Sequence, residues 1–529
     1  MKYNCLSNLF VLIKEANTGC PIDHWCGFHV TKNIYAHSTV FQHILRLSST
    51  MADGLSGVLA LVITPMCLSF FYEFSAGIYK PTAASLNSLT FGKKGEYLYP
   101  VIFTGINYLL QIHTTPIWTK IAQRDSTGRC NAIVAALMAI LFPNLVVLIA
   151  IGVNSTDTVM VYKSYLVANA FSGVFGLPVA LAFAIAKFDR HSFKQTQTQQ
   201  NRDEEEDGRE VGDEKGDTGA DMNKGVQLDP LFIVMLSVPA GILAGQAMSS
   251  DTPRIGYAAV WAICASILSG AIIFIDNRFN YNRKQALSAA EEEASASPQG
   301  GAGSFDADGG EDVTRNSVVE VSRDMVSKPI LLKYVKNRSF VVLAVPLALL
   351  QFGHEAFFAL TGTHIFELLV KKLGKVATKA FIGVLFRTGA LCNMLALLVL
   401  PWFFRRYCNL SQLGIASAGM SSAATSYLFY GIAKTEALLW VAELCGFCVL
   451  LAKPALASAL IATAAASAME EGEITGAFFA MGHIGSIAGL IIGAVMFTAI
   501  GQEAYYVLMA APLLALCVLG WERMQQSTK

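Results

Sequence analysis

Charge is scarce in this chain. Only 15% of its 529 residues are Asp, Glu, Lys or Arg, and the 39 basic residues cancel the 39 acidic ones. That balance argues against a nucleic-acid partner, which calls for a basic patch. The eleven cysteines form no disulfide framework, and most lie in apolar runs, where a thiol behaves as a small hydrophobe. Cys20, His24, Cys26 and His29 have metal-binding side chains, but their spacing matches no zinc module, so no metal is expected. Cys445-Gly-Phe-Cys448 has redox spacing but sits inside an apolar run, away from the exposed helix start that a reactive thiol needs. No G-x-x-x-x-G-K-[ST] signature for ATP occurs. No nucleophile, base and orienting group gather in the polar segments, so the chain is not expected to be an enzyme or to carry a cofactor.

What the chain has in abundance is apolar sequence: 53% hydrophobic residues and a mean hydropathy of +0.47. Twelve stretches of roughly 20 residues recur, each long enough to cross a bilayer. They are 55–78, 97–119, 131–152, 162–187, 230–249, 255–275, 340–363, 380–403, 411–432, 437–460, 476–500 and 503–521. A helix apolar all round is a membrane span or the core of a very large protein. Twelve of them predict an all-α membrane protein with twelve transmembrane helices.

Polar segments divide these spans. Residues 195–225 and 288–316 are rich in Glu, Asp, Gly, Gln and Ser, a composition that cannot bury a core. The predicted organisation is a cytosolic tail at 1–50 and a six-helix half at 51–275, which contains a disordered loop at 188–229. A linker at 276–338, a second six-helix half at 339–523 and a short tail at 524–529 complete it. An alternative is that translation begins at Met51, directly before the first span. Lys120, Arg124 and Arg129, with Arg405 and Arg406, place their short loops in the cytosol. The run Lys371, Lys372, Lys375, Lys379 falls on the other side and reads as a helix lying at the interface. The sequon at Asn154 then lies outside as a glycosylation site, while those at Asn337 and Asn409 face inward.

Six plus six spans around a long loop resemble the major facilitator superfamily. The loop PIWTKIAQRDSTGRCN resembles its gating signature at Arg124, Asp125, Gly128 and Arg129, with Arg and Asp in swapped order. Residues 366–406, with Arg387 and Pro401, are similar to spans seven and eight of a fungal branch. Residues 467–501 look like the penultimate span, entered through Glu470, Glu471, Gly472 and Glu473. Span five carries Pro239, Gly241 and Gly245, similar to an antiporter motif. The resemblance implies two halves rocking about a central cavity, and a charge latch in the loop after span two.

Ionisable groups inside a bilayer cost about 2.5–3.5 kcal/mol each, so they need partners or a water-filled path. The candidates are His113, His354, Glu355, Arg387, Glu443, Lys453 and His483. At about 1.5 Å per residue, Glu355, Arg387 and Glu443 each fall roughly 9–12 Å below the outer ends of their spans and can meet at one level. Arg387 is the expected anchor for an anionic or carbonyl-bearing group, with Glu355 or Glu443 as counter-ion and proton carrier. The competing reading is a permanent Arg–Glu bridge, or side chains that snorkel to the surface. Gly482, Gly485, Gly489 and Gly493, with Ser486, form a small-residue stripe for close helix approach.

The resemblance implies a monomeric secondary transporter that exports a small organic molecule, such as a secondary metabolite or toxin, with protons as the coupling ion and the lipid bilayer as its surroundings. The plasma membrane is expected, with vacuolar or other endomembrane placement as the alternative. An importer of nutrients or organic solutes competes with export. A receptor or scaffold on the same fold is the alternative of another class.

Overall fold

A bilayer offers no water to backbone amides, so an apolar run that crosses it must satisfy its own hydrogen bonds, as a helix does. The computed structural model describes residues 64–78, 98–123, 126–153, 158–186, 230–248, 263, 330–466 and 470–527. Among these residues the regular structure is entirely helical. The first helices are α1 (64–78), α2 (Leu98–Ala122), α3 (Ser126–Val153), α4 (Thr158–Ser172), α5 (178–186) and α6 (Pro230–Met248). After the short α7 (Ile330–Tyr334) come α8 (Arg338–Leu373), α9 (Lys375–Arg406), α10 (Gln412–Ile432) and α11 (Glu436–Cys445). The series ends with α12 (Ala452–Ala466), α13 (Glu471–Ile500) and α14 (Ala504–Ser527).

Among the described residues six helical segments are long and apolar enough to cross a membrane: Gly128–Val153, Val159–Ala186, Arg338–Leu373, Lys375–Arg406, Glu436–Ala464 and Glu471–Met524. The chain is a multi-pass membrane protein. Helices coincide with eleven of the twelve apolar stretches; the sixth, 255–275, lies outside the described residues apart from Ile263. So do the tail at 1–50 and both acidic loops, 195–225 and 288–316. Leu391, Leu395, Leu398 and Val399 on α9, and Ile491, Ile492 and Val495 on α13, remain exposed, as a lipid-facing surface requires. The lysine run is a correction to the sequence reading. Lys371 and Lys372 end α8 and Lys375 and Lys379 begin α9, joined at Gly374 with φ 79°, so two long helices meet there and no separate interfacial helix forms.

Among the described residues two spans are broken, and each break is satisfied from a neighbour. Between α4 and α5 the chain makes a 3-10 turn at Gly173–Phe175 and passes through Gly176 before Pro178. Here α2 supplies the lost bonds. Asn107 Nδ2 donates to the Asn169 carbonyl and, at 3.1 Å, to Ser172 Oγ, while Thr114 Oγ1 donates to the Gly173 carbonyl at 2.8 Å. Between α11 and α12 the break falls on Cys445–Leu451. Ser422 Oγ on α10 donates to the Cys445 carbonyl at 2.6 Å and accepts from the Cys448 amide at 3.2 Å. Cys445 and Cys448 are free thiols at that break. Irregular backbone at membrane depth is tolerated when protein covers it or it lines a cavity.

The glycine stripe sets the packing of α13. A Cβ on Gly485 would lie 2.0 Å from the Ala348 carbonyl oxygen, and one on Gly489 2.0 Å from that of Phe352, so α13 and α8 touch backbone to backbone. At its start α13 leans on α2 instead, with Thr119 Oγ1 donating to the Gly472 carbonyl at 3.0 Å. One hydrophobic core runs through Phe183, Phe232, Leu347, Tyr427, Phe478 and Leu508, drawn from both ends of the chain.

Candidate functional site

The breaks in α4–α5 and α11–α12 open a small cavity between α1, α5, α6, α8 and α12. Glu73, Gln351, His354, Glu355 and Lys453 supply its polar wall, and Val179, Met235, Val238, Leu350, Val449 and Leu450 its apolar one. Its volume is about 80 Å³. Lys453 stands on the first turn after the α11–α12 break. Its Nζ lies 5.3 Å from the centroid of Phe479 and in the field of the Glu355 and Glu73 carboxylates. Tyr108 on α2 and Tyr72 on α1 lie in the field of the same two carboxylates. Tyr108 also stacks on the buried His483, ring centroids 5.3 Å apart, and the Nε2 of that histidine has no hydrogen-bond partner among the described residues. An ammonium and two carboxylates around a small cavity can hold a charged solute and can move a proton.

The structure thus brings His354, Glu355 and Lys453 to one cavity, with His483 one stacked ring away. It does not bring Arg387 there. Arg387 is exposed on α9, with Nη2 folded back along its own helix towards Gly383. Glu443 is held elsewhere too: Tyr430 Oη donates to it at 2.5 Å, and its carboxylate fills the space over Gly389, between α9, α10 and α11. Among the described residues no ion pair joins Arg387 to either glutamate. A shared depth is not a shared face, because helices apolar all round do not announce which side turns inward. His113 is exposed on α2, away from the cavity.

Sequence reasoning missed Glu73 in the cavity wall and Tyr108 against His483. Glu73 carried a readable signal, a lone carboxylate within the first apolar stretch. Tyr108 carried none, since a tyrosine in a span is unremarkable until its neighbour is known.

A second polar cluster ties α2 to α13. Glu473 in the first turn of α13 takes Lys120 on one carboxylate oxygen and, on the other, Lys333 at 2.7 Å and the Tyr334 hydroxyl at 3.0 Å. Lys120 also reaches Glu470 at 3.5 Å. The Glu473 side chain is only 6% exposed. Burial works against the charge of Lys120, but the hydrogen bond and negative charge of Glu473 outweigh it and raise its pKa. Burial, then the charge of Glu473, holds the Tyr334 hydroxyl above its ordinary range, so it keeps its proton and donates. Of the gating signature, Gly128 and Arg129 lie in the first turn of α3, while Arg124 and Asp125 lie outside the described residues. Asn154 lies outside them as well. Asn337 caps α8, accepting from the Phe340 amide at 3.2 Å.

No family model matches the chain, and no curated protein matches it in sequence. Solved structures do match it. The human organic anion transporter MFSD10 (TETRAN) is 12% identical, with 87% of this chain and 99% of that one covered, at a TM-score of 0.55. The xylose transporter XylE from E. coli, in a partially occluded inward open conformation, is 10% identical, with 88% and 98% covered, at 0.52. Both are transporters of the major facilitator fold and not enzymes, and this chain is similar to them in fold over nearly their whole length.

Proposed function

We propose that the chain is a secondary transporter of the major facilitator type. Two six-helix halves, residues 51–275 and 339–523, expose the central cavity alternately to the two sides of the membrane. The observation that carries this reading is the cavity itself: Glu73, Glu355 and Lys453, from three separate helices, meet inside a bundle with the fold of known transporters. Groups so costly to insert mark a path for ions or solutes. Glu355, which shares the cavity wall with Lys453, is the proposed proton carrier. Lys453 replaces Arg387 as the proposed contact for an anionic or carbonyl-bearing group of the cargo.

The cargo is a small organic molecule, and the direction is export, probed against uptake in the experiment below. Support for export comes from the resemblance of span five, at Pro239, Gly241 and Gly245, to an antiporter motif; Gly241 and Gly245 pack α6 against the carbonyls of Phe70 and Phe74 on α1. The membrane is proposed to be the plasma membrane and the working unit a monomer.

The test is untargeted mass spectrometry of cells and medium, in a strain lacking the protein and rescued with wild type, Lys453→Ala or Glu355→Gln at matched expression. A compound that accumulates inside the deficient cells, cleared by wild type and at least about tenfold more slowly by either variant, supports proton-coupled export through this cavity. Each variant removes a charged contact of about 1.5–3 kcal/mol. A compound left in the medium instead assigns uptake. Unchanged metabolites on both sides would remove the transport reading.

A further inference from the structure

A second concavity lies on the outside of the bundle, between α8 and α14, and shares no lining residue with the central cavity. It is a groove of about 630 Å³. Val342, Leu349 and Cys517 are among the residues that line its floor, and Arg338, Trp521 and Glu522 close one end. Arg338 Nη2 donates to Glu522 Oε2 at 3.0 Å, with the arginine side chain 62% exposed and the glutamate 18% exposed.

Two features of this groove are independent of each other. The first is length. Arg338 and Leu349 are eleven positions apart on α8, which is about 16 Å at 1.5 Å per residue. Half of a hydrocarbon core of about 30 Å is about 15 Å, so the apolar floor has the depth of one leaflet. The second is charge. The closed end carries one guanidinium and one carboxylate side by side, with Trp521, an amphipathic ring suited to the headgroup level. A site with paired opposite charges and no net charge matches a headgroup built the same way.

We infer that this groove binds one phospholipid of the zwitterionic, primary-ammonium type, phosphatidylethanolamine. Its phosphate accepts from Arg338, its ammonium donates to Glu522, and one acyl chain lies along Val342, Leu349 and Cys517. A quaternary ammonium has no N–H to give Glu522, and an anionic headgroup leaves Glu522 facing negative charge. Both are therefore poorer occupants.

The experiment is native mass spectrometry of the purified full chain after exchange into mixed micelles containing equal amounts of dioleoyl phosphatidylethanolamine, phosphatidylcholine and phosphatidylglycerol. Wild type should retain one phosphatidylethanolamine about tenfold over either competitor, the worth of one charge-assisted hydrogen bond. Glu522→Gln should level phosphatidylethanolamine with phosphatidylcholine, and Arg338→Gln should reduce retention of all three. Both positions are at helix ends near the surface, and a monodisperse elution profile shows that each variant is folded. Equal retention of the three lipids by wild type would overturn the inference, as would a phosphatidylglycerol preference or a preference that Glu522→Gln leaves intact. A dimer that Glu522→Gln dissociates would assign the groove to a second copy of the chain and overturn it too.

Discussion

Arg387 is the residue at which sequence and structure part. Its type, its depth and its place in span eight all recommended it as an anchor, yet its side chain is exposed on α9. A long cationic side chain on a lipid-facing helix snorkels towards the polar interface, and that was the competing reading of the same residue. The consequence is measurable: Arg387→Ala should keep export within about twofold of wild type at matched expression, since exposed positions seldom matter by more than about 0.5 kcal/mol. A tenfold loss would restore the anchor role. His354, Glu355 and Lys453 were legible because ionisable residues in apolar runs are rare enough to count. Glu73 obeyed the same rule and was open to it. Glu443 shows the limit of that rule: a carboxylate can satisfy itself against Tyr430 and a gap over Gly389, well away from any path. Composition says that a charge is in a span, and only packing says which wall it serves.

At the scale of helices, most of the positions were legible and most of the irregularities were not. Length and apolar content locate the spans, because a bilayer fixes both. The breaks at 173–177 and 446–451 depend on partners far off in sequence, Asn107 and Thr114 for one and Ser422 for the other. No local pattern names those partners. Span ten carries Cys-Gly-Phe-Cys, whose redox spacing is discounted for lying in an apolar run, and nothing local in it announces the helix break that falls there. The stripe on α13 was legible, because small residues at three- and four-residue spacing have one structural use in membranes. It makes an element-scale prediction. Gly485→Ala places a methyl 2.0 Å from the Ala348 carbonyl oxygen, so α13 must move off α8. Overpacking of this kind costs about 1–3 kcal/mol. Gly105→Ala meets nothing within 4 Å and serves as the control. In detergent, thermal melts should show a clear fall in Tm for Gly485→Ala and no fall for Gly105→Ala. Equal melts would mean that α8 and α13 are not in backbone contact.

For the whole molecule, the cavity and the cluster at Glu473 describe one state together. The cavity is small, about 80 Å³, and a glutamate joined to two lysines and a tyrosine ties the end of α2 to the start of α13 at one end of the bundle. If the halves rock, this cluster must part each time that end opens, so its strength sets a share of the closed population. The resemblance places a charge latch in the loop after span two; among the described residues Lys120, one turn before that signature, pairs with a carboxylate on the far side of the sequence. Glu473→Gln keeps the shape and the Tyr334 contact but removes the charge that both lysines meet. Losing charge-assisted hydrogen bonds here is worth about 2 kcal/mol, or roughly a thirtyfold shift towards the open form. Spin labels at Gln123→Cys and at Glu470→Cys, the cluster's most exposed and longest contact, report that shift as a distance, with the doubly labelled protein as parent. In the Glu473→Gln background, double electron–electron resonance should show a longer-distance population that is minor in the parent. Lys333→Gln should move the distribution less than Lys120→Gln, because the Lys333 side chain is 58% exposed and that of Lys120 only 24%. An unchanged distribution in Glu473→Gln would mean that the cluster is a static fastening of α2 to α13, and that the gate must be sought at the other end of the bundle.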